Sequence, residues 1–529
     1  MMVLILSAAY IDLELQSEFG KLPPSMLPLG NKRLFQHQIR LFSDSEEKYI
    51  TFPKSYGISE LDKKWLENHD VDIIAVDDDF SLGKSLSFAI DYIKRKSKDE
   101  KLQVLFGDTI VSIKQVLDSS NFIAISKADD SYNWAIINKK DDNLEFSEEE
   151  IKFLDNNVVC GHFGFDNILL LQECLIESNY GFIEALNKYH SNDNLLVVEV
   201  EQWLDFGHIN TYYKSKAKFT TQRAFNELEI TSDWVEKSSH DAVKISAEAN
   251  WFESVPQEIK RYTPQYFGKA VRNNNLSYKL EYLYFTALNE LYVFADLPII
   301  VWKCILDRCL EFIKNCSLYE PQQKESYSRL SELLVEKTNE RLKVFCKERE
   351  FNLDDAWEFN GEYISVSDVL NVANKNIPQD IKVSLMHGDF CFSNILFDFR
   401  ANRIKVIDPR GLTTNKELTI YGSMYYDLAK ISHSILGMYD WIIAGYYDID
   451  LTDYKINFIL DENEKIKQLQ KMFTDMVLSQ FSISENNLYA MQIHLFLSML
   501  PLHADDAKRQ NALFANAFRL YKLIHEKAK

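Results

Sequence analysis

Residues 387–411 constrain the fold more than any other stretch of the chain. They read His387-Gly388-Asp389-Phe390-Cys391-Phe392-Ser393-Asn394, then Ile395-Leu396-Phe397, a turn around Ala401-Asn402-Arg403, the run Ile404 to Ile407, and Asp408-Pro409-Arg410-Gly411. Two short β-branched runs about a polar turn predict a β-hairpin. Asp389 and Asn394 then share the loop before the hairpin, and Asp408 stands at the end of its second strand.

Those residue types suit phosphoryl transfer to a hydroxyl, which needs a base beside the acceptor, metal ligands on the nucleotide phosphates and in-line positioning. Asp389 is the candidate base. Asn394 and Asp408 offer the hard oxygen ligands that Mg²⁺ prefers. A lone His-Gly-Asp carries little weight, because acidic loop residues are common. The same triplet with Asn five residues after the aspartate, a hairpin and Ile-Asp-x-x-Gly is specific, and the bland alternative is a solvated turn. His387 is expected to fix the loop through ring hydrogen bonds rather than to shuttle protons.

On these motifs residues 219–529 resemble the aminoglycoside phosphotransferase and choline kinase branch of the protein-kinase-like fold. The resemblance implies a bilobal α+β domain, with an N-lobe at about 219–285 and a C-lobe at about 286–529, that uses ATP on a small molecule. It matches Lys237 to the lysine that binds the α- and β-phosphates, and Glu248, inside a helix, to its ion-pair partner. Lys244 competes for the lysine role, but the spacing from Lys237 to Glu248 fits a strand-to-helix step. Glu281 and Tyr282 match the hinge where the adenine edge meets backbone. Asp427, in Tyr426-Asp427-Leu428-Ala429, matches an aspartate that buttresses the catalytic loop; a simple helix cap is the other reading. No glycine-rich loop precedes Lys237. Phosphate cradling would then fall to backbone amides of the stretch 223–234, with Arg223 or Asn226 assisting.

Upstream the pattern differs. Val3 to Leu6, Lys48 to Phe52, Val71 to Val76 and Leu102 to Phe106 are apolar strand-like runs, alternating with helical spacing over Lys32 to Phe42 and Leu86 to Lys94. This predicts an α/β unit with a mixed, mostly parallel, Rossmann-like sheet whose ligands sit beyond the strand ends. The segments Ser7-Ala8-Ala9, Pro23 to Leu29, Phe106-Gly107-Asp108, Gly161 to Phe165 and Trp203-Leu204-Asp205-Phe206-Gly207-His208 resemble sugar-phosphate nucleotidyltransferases over about residues 3–215. That resemblance matches Asp108 and Asp205 to two aspartates sharing Mg²⁺ over an α-phosphate. It departs where the family has a glycine-rich loop carrying an arginine. Here stands Tyr10-Ile11-Asp12-Leu13-Glu14-Leu15, and the family's lysine position holds Pro24. Lys21 and Lys32 are the nearby cations.

The change of pattern near residue 218 divides the chain into 1–218 and 219–529, with short strands expected from Thr220 to Ser238, then a helix, then a mostly helical remainder interrupted by the hairpin. At 529 residues the length suits two to four domains. Lys+Arg total 59 against Asp+Glu 79, a formal net charge of −20. Such a surface repels nucleic acid and anionic lipid, although a local basic pocket for a nucleotide stays compatible with it. Seven scattered cysteines without a C-x-x-C motif read as reduced thiols of a cytoplasmic protein. No apolar run approaches a membrane span, and Met1 to Tyr10 reads as a buried strand rather than a signal peptide. His162, His208, His387 and His433 are not at metal-ligand spacings. Tyr421, Tyr425, Tyr439 and Trp441 could stack on a sugar or enclose a cationic head group, with core packing the better expectation. The helix over Asn511 to Leu523 is expected to pack in the C-lobe.

The expectation is therefore a bifunctional transferase of bacterial surface-polysaccharide precursor supply. The kinase half would phosphorylate a sugar, polyol or amino alcohol such as choline with ATP and Mg²⁺, and the first half would join the product to CTP or UTP. A homo-oligomer is compatible with the sequence. The rivals are a kinase with a purely binding amino-terminal module, and a non-enzymatic pseudokinase fused to a dead transferase.

Overall fold

In the computed structural model the first apolar run is the strand Met2–Leu6, buried at all five residues. Residues 1–112, 121–127, 135–140, 143–147, 157–223, 228–272, 275–322, 325–378, 382–460 and 462–526 are described. Continuous burial of a strand requires cover on both faces, which a parallel sheet flanked by helices provides. Met2–Leu6 pairs in parallel with Glu47–Pro53 on one side and Leu102–Phe106 on the other. Val71–Val76 extends the sheet in parallel beyond Glu47–Pro53. Past Leu102–Phe106 the strand Asn157–Phe165 runs antiparallel, then Phe122–Lys127 antiparallel to it, and Leu196–Glu199 parallel at the edge. The helix Leu82–Ile93 lays Leu86, Ala89, Ile90 and Ile93 on the sheet, where they join Leu4, Val104 and Phe163 in one core.

Outside this sheet, Gln202–Asp205 pairs antiparallel with Thr109–Ser112 and sets Asp205 opposite Thr109. The strand expected from Thr220 onward is instead, at its start, the end of a helix, Ile209–Arg223. Tyr212, fully buried between Phe19 and Phe206, anchors the first turn of that helix. The chain forms two compact units, Met1–Thr220 with Phe294–Asp296, and Thr221–Val293 with Leu297–Lys529.

The second unit begins with the antiparallel strands Leu228–Ile230, Trp234–Ser238, Asn275–Glu281 and Tyr266–Arg272, paired in that order. The helix Ala242–Ser254 packs beside them, capped by the Asp241 side chain, which accepts from Lys244 N–H at 3.1 Å. The remainder is mostly helical. The expected hairpin is present as Ile395–Asp398 against Arg403–Val406, with Asn402 at φ 48° in the turn. Two further hairpins interrupt the helices: Ala356–Phe359 with Glu362–Ser365, and Tyr447–Thr452 with Lys455–Leu460. Sequence reasoning missed both, although Tyr447–Thr452 alternates apolar and polar residues, the period-two pattern of a half-buried strand. The helix Ala507–Glu526 buries Leu513, Phe514, Phe518 and Leu520. Among the described residues, no helix is long and apolar enough to cross a membrane, and all seven cysteines are unbridged.

Candidate functional site

The loop from His387 to Asn394 is held by its aromatic residues. Phe390 stacks on Phe312 at 4.8 Å between centroids, Phe392 on Trp302 at 5.9 Å, and both phenylalanines are fully buried. Trp251 Nε1 donates to the Met386 carbonyl at 2.8 Å just before the loop. With those side chains directed inward, Asp389 and Asn394 line a cleft of about 560 Å³. Gly388 has φ 78°, and a Cβ there would lie 2.7 Å from that of Arg410, so the turn requires glycine.

Two backbone hydrogen bonds bring the hairpin's end to this loop. Ile407 N–H donates to the Asn394 carbonyl at 3.0 Å, and Arg410 N–H to the His387 carbonyl at 2.9 Å. Asp408 therefore faces the same cleft. It sits at φ 57°, a left-handed conformation that is costly for a residue with a side chain and that gathers at functional sites.

Lys237 joins these groups from the sheet. Its Nζ lies 2.9 Å from Glu248 Oε2 and 2.9 Å from Asp408 Oδ1. Burial lowers the Lys237 pKa, but Asp408 and Glu248 outweigh it and hold the ammonium charged. Burial raises Glu248, with Lys237 opposing, and Tyr278 donates its hydroxyl to Glu248 Oε2 at 2.7 Å. Lys244 is 4.0 Å from Glu248 and more exposed, so the direct pairing belongs to Lys237. Glu281 ends the strand that pairs with that of Lys237. The Glu281 and Tyr282 amides already donate to Gln265 and Asp233 carbonyls, at 2.8 and 2.9 Å, so a base edge would meet donors further along the connection. Arg223 ends the helix Ile209–Arg223 and its side chain, like the whole of Asn226, lies outside the described residues.

Asp427 accepts from His387 N–H at 2.7 Å and Gly388 N–H at 2.8 Å, which makes it a buttress of the loop rather than a cap. Burial pushes its carboxyl up to about 7 despite both bonds. His387 is fully buried, its Nδ1 accepts from Asp389 N–H at 3.3 Å, and burial lowers its pKa to about 4, so it is neutral at pH 7. Asp389 is the opposite case. Burial pushes its carboxyl up, but the Lys430 ammonium at 2.7 Å more than cancels this and holds it at about 2.

Sequence reasoning missed Lys430. The available signal was helical spacing: three residues after Asp427 and four after Tyr426, it points the same way as both. Lys337, Arg341 and Tyr426 also line the cleft and were likewise not singled out, whereas Tyr421, Tyr425, Tyr439 and Trp441 are absent from its lining.

The residues present fit a divalent cation. Asn394 Nδ2 donates to the Asp389 carbonyl at 2.9 Å and to Asp389 Oδ2 at 3.1 Å. Its amide oxygen has the Ser393 hydroxyl at 3.4 Å and is otherwise available to a cation in the cleft. Asp408 adds a carboxylate whose present partner, Lys237, is itself a phosphate-binding type of group.

In the first unit the register Asp205–Thr109, and the bond from Phe206 N–H to the Asp108 carbonyl at 2.8 Å, draw Asp108 and Asp205 together. They meet around Gly207. A Cβ there would lie 2.9 Å from Asp108 Oδ2 and 3.4 Å from Asp205 Oδ1. Burial first, and the Asp205 charge second, raise the Asp108 pKa. Two carboxylates that disfavour each other's ionisation suit a shared cation. Where a glycine-rich loop would stand, Asp12 caps the short helix Leu13–Phe19 by accepting from Leu15 N–H at 2.7 Å, and its second oxygen lies 3.4 Å from His208 Nδ1. Lys21 is exposed and lies over the Tyr10 ring at 4.1 Å.

No family model and no curated protein matches the chain. Among solved structures, an amino-terminal region amounting to 41% of this chain is similar to a nucleoside-diphosphate-sugar pyrophosphorylase from Vibrio cholerae RC9, at 11% identity over 99% of that chain, TM-score 0.34. It is also similar to the inositol-1-phosphate CTP transferase from T. maritima, at 14% identity with 41% of this chain and 96% of that one covered, TM-score 0.32. A further 53% is similar to an aminoglycoside-3'-phosphotransferase of type VIII, at 12% identity over 97% of that chain, TM-score 0.30.

Proposed function

We propose that the second unit transfers the γ-phosphoryl group of ATP to a hydroxyl of a small polar acceptor. The observation that carries this reading is the convergence of Asp389, Asn394, Asp408 and the Glu248-paired Lys237 on one cleft. Asp389, ionised at neutral pH, accepts the hydroxyl proton as the acceptor oxygen bonds to the γ-phosphorus and the bond to the β-phosphate oxygen breaks, releasing ADP. Asn394 and Asp408 would hold Mg²⁺, which when bound neutralises charge on the phosphates. Lys237 leaves its carboxylates for the α- and β-phosphates, and Asp427 and His387 keep the loop rigid while the base works. The adenine would dock along the connection that follows Glu281 and Tyr282, whose own amides are already bonded.

The first unit would then join the phosphorylated product to a second nucleotide, CTP or UTP, with release of pyrophosphate. Asp108 and Asp205 would hold the cation there. Such a pair of steps supplies activated precursors, and bacterial surface polysaccharides are the setting that suits it, in the cytoplasm. The capped helix at Asp12 favours a second reading, in which the first unit binds and positions the product without transferring a nucleotide.

Phosphorus NMR of the protein with ATP, CTP, UTP and a mixed acceptor pool tests both. New phosphate-ester resonances that vanish in Asp389→Asn support the kinase reading, and their absence from the wild type would overturn it. Pyrophosphate release that vanishes in Asp108→Ala supports nucleotidyl transfer, and its absence favours the binding module.

A further inference from the structure

The cleft is basic in a chain that is acidic. Overall, 59 Lys and Arg face 79 Asp and Glu, yet the cleft is lined by seven Lys and Arg against four Asp and Glu. The four carboxylates have evident work: Glu248 and Asp408 hold Lys237, Asp389 holds Lys430, and Asp241 caps a helix. Apart from the exposed Lys416, the surplus cations are Lys337 and Arg341, one turn apart on the helix Lys337–Arg349, and Arg410, two residues beyond Asp408. A π-helical turn, Glu332–Glu336, runs directly into that helix; such turns recur at functional sites.

Among the described residues, no carboxylate lies within ion-pair distance of Lys337, Arg341 or Arg410, although the Glu340 charge is felt at Arg341. Arg341 Nη1 donates to the Ser498 carbonyl at 2.8 Å and Arg410 Nε to the Leu412 carbonyl at 3.0 Å, bonds that fix direction and leave the charge unneutralised. They act on each other and on the buried Tyr426. At Lys337, Tyr426 favours the charged form, while burial and the charges of Arg410, Lys430 and Arg341 prevail and lower its pKa. Burial raises the Tyr426 phenol, yet Lys337, Lys430 and Arg410 bring it below its ordinary value. Arg410 and Lys430 stand 5.9 and 6.0 Å from the Tyr426 ring centroid. Gathering like charges around a buried ring is unfavourable unless an anion completes the site.

The nucleotide has its own cations. Lys237 and Lys244 act at Glu248, whereas Lys337 and Lys430 act at Asp389, the base. The surplus charge therefore belongs beside the hydroxyl that is to be phosphorylated. Resting on the phosphotransfer reading above, we infer that the acceptor is an anionic alcohol, one that carries a carboxylate or a phosphate ester bound by Lys337, Arg341 and Arg410. An amino alcohol or a cationic amino sugar would meet repulsion in this cleft. Leu495, Met499 and Leu502 give the same cleft an apolar side, suited to a compact carbon skeleton.

The test is a panel on two carbon skeletons, each carrying a neutral, anionic or cationic substituent: glycerol, glycerate, glycerol phosphate and aminopropanediol, and glucose, glucuronate, glucose 6-phosphate and glucosamine. ADP release gives kcat/KM for each, and titration calorimetry gives binding without turnover. Anionic members are expected to exceed their neutral parents by at least about 10-fold in both measurements, and the ammonium members to fall below the parents. The carboxylate and phosphate arms tell which anion is taken. Lys337→Met and Arg341→Met should raise the acceptor KM about 10-fold with the ATP KM nearly constant, and Arg341→Lys should recover much of the loss. Turnover that is equal or better with neutral or ammonium acceptors overturns the inference and leaves the kinase reading standing. Anion-selective binding with no turnover of any member supports the inference and counts against the kinase reading. A rise in the ATP KM instead of the acceptor KM would assign these cations to the nucleotide and overturn the proposal.

Discussion

Lys430 Nζ lies 2.7 Å from Asp389 Oδ1, so the candidate base is held by a cation on the neighbouring helix. The pair keeps Asp389 ionised far below neutral pH, and it lowers the basicity of the carboxylate that would take the proton under the proposed reading. Because the depressed pKa is about 2, kcat/KM against pH should show no acidic limb from Asp389 above about pH 4. In Lys430→Met the burial remains and the largest opposing charge is gone, leaving Lys337, so the limb should move up by more than about one pH unit. An unchanged profile would show that Asp389 is not the titrating base.

Lys237 and Lys244 should separate cleanly. Lys237→Met leaves Glu248 and Asp408 without their common partner, and is expected to lower kcat/KM for ATP by about 100-fold or more. It should also lower unfolding stability on the order of 3 kcal/mol, through the carboxylate left buried at Glu248. Lys244→Met is expected to change kcat/KM for ATP by less than about 3-fold, since its charge is more exposed. Steady-state kinetics with ATP as the varied substrate decide between them.

Asp427 sets a pH dependence of stability. Its folded pKa, about 7, stands above the unfolded value of 3.8, so the folded state binds the extra proton between these values. Stability from this group is fully present below about pH 4 and is lost as pH rises through about 7. Asp427→Asn removes the titration and presents an NH₂ to one of two amide donors. The wild type's advantage over Asp427→Asn in urea unfolding should therefore shrink as pH rises from about 4 to about 7.

Gly207→Ala tests the amino-terminal carboxylate pair. The added Cβ would press on Asp108 Oδ2 at 2.9 Å and reach contact with Asp205 Oδ1 at 3.4 Å, so Mn²⁺ binding to the first unit should weaken by about 10-fold or more while the far-ultraviolet circular dichroism is kept. The raised Asp108 pKa adds a sign. A cation must displace the proton, so wild-type affinity should rise with pH between about 6 and 8. Affinity that is flat with pH, or equal in the variant, would remove the metal from this site.

Local pattern was enough for much of the architecture. The runs Val71–Val76 and Leu102–Phe106 are strands with those bounds, because an apolar β-branched segment closed by polar residues has few other uses. The hairpin at Ile395–Asp398 and Arg403–Val406 followed from its turn residues, and the spacing from Asp389 through Asn394 to Asp408 was legible because all three lie on one short, locally determined stretch. Tertiary packing decided the rest. Residues 220–223 are the last turn of the helix Ile209–Arg223, whose Tyr212 is buried against Phe19 and Phe206, and local propensity did not show that the helix runs so far. Lys337 and Arg341 come to the cleft from a helix some 50 residues before Asp389, and Lys430 from one about 40 residues after it. Side-chain type and backbone pattern are local, and they set which groups could do the chemistry. Only the folded chain decided which charges surround them, because an electrostatic field depends on distance in space and not on separation along the polymer.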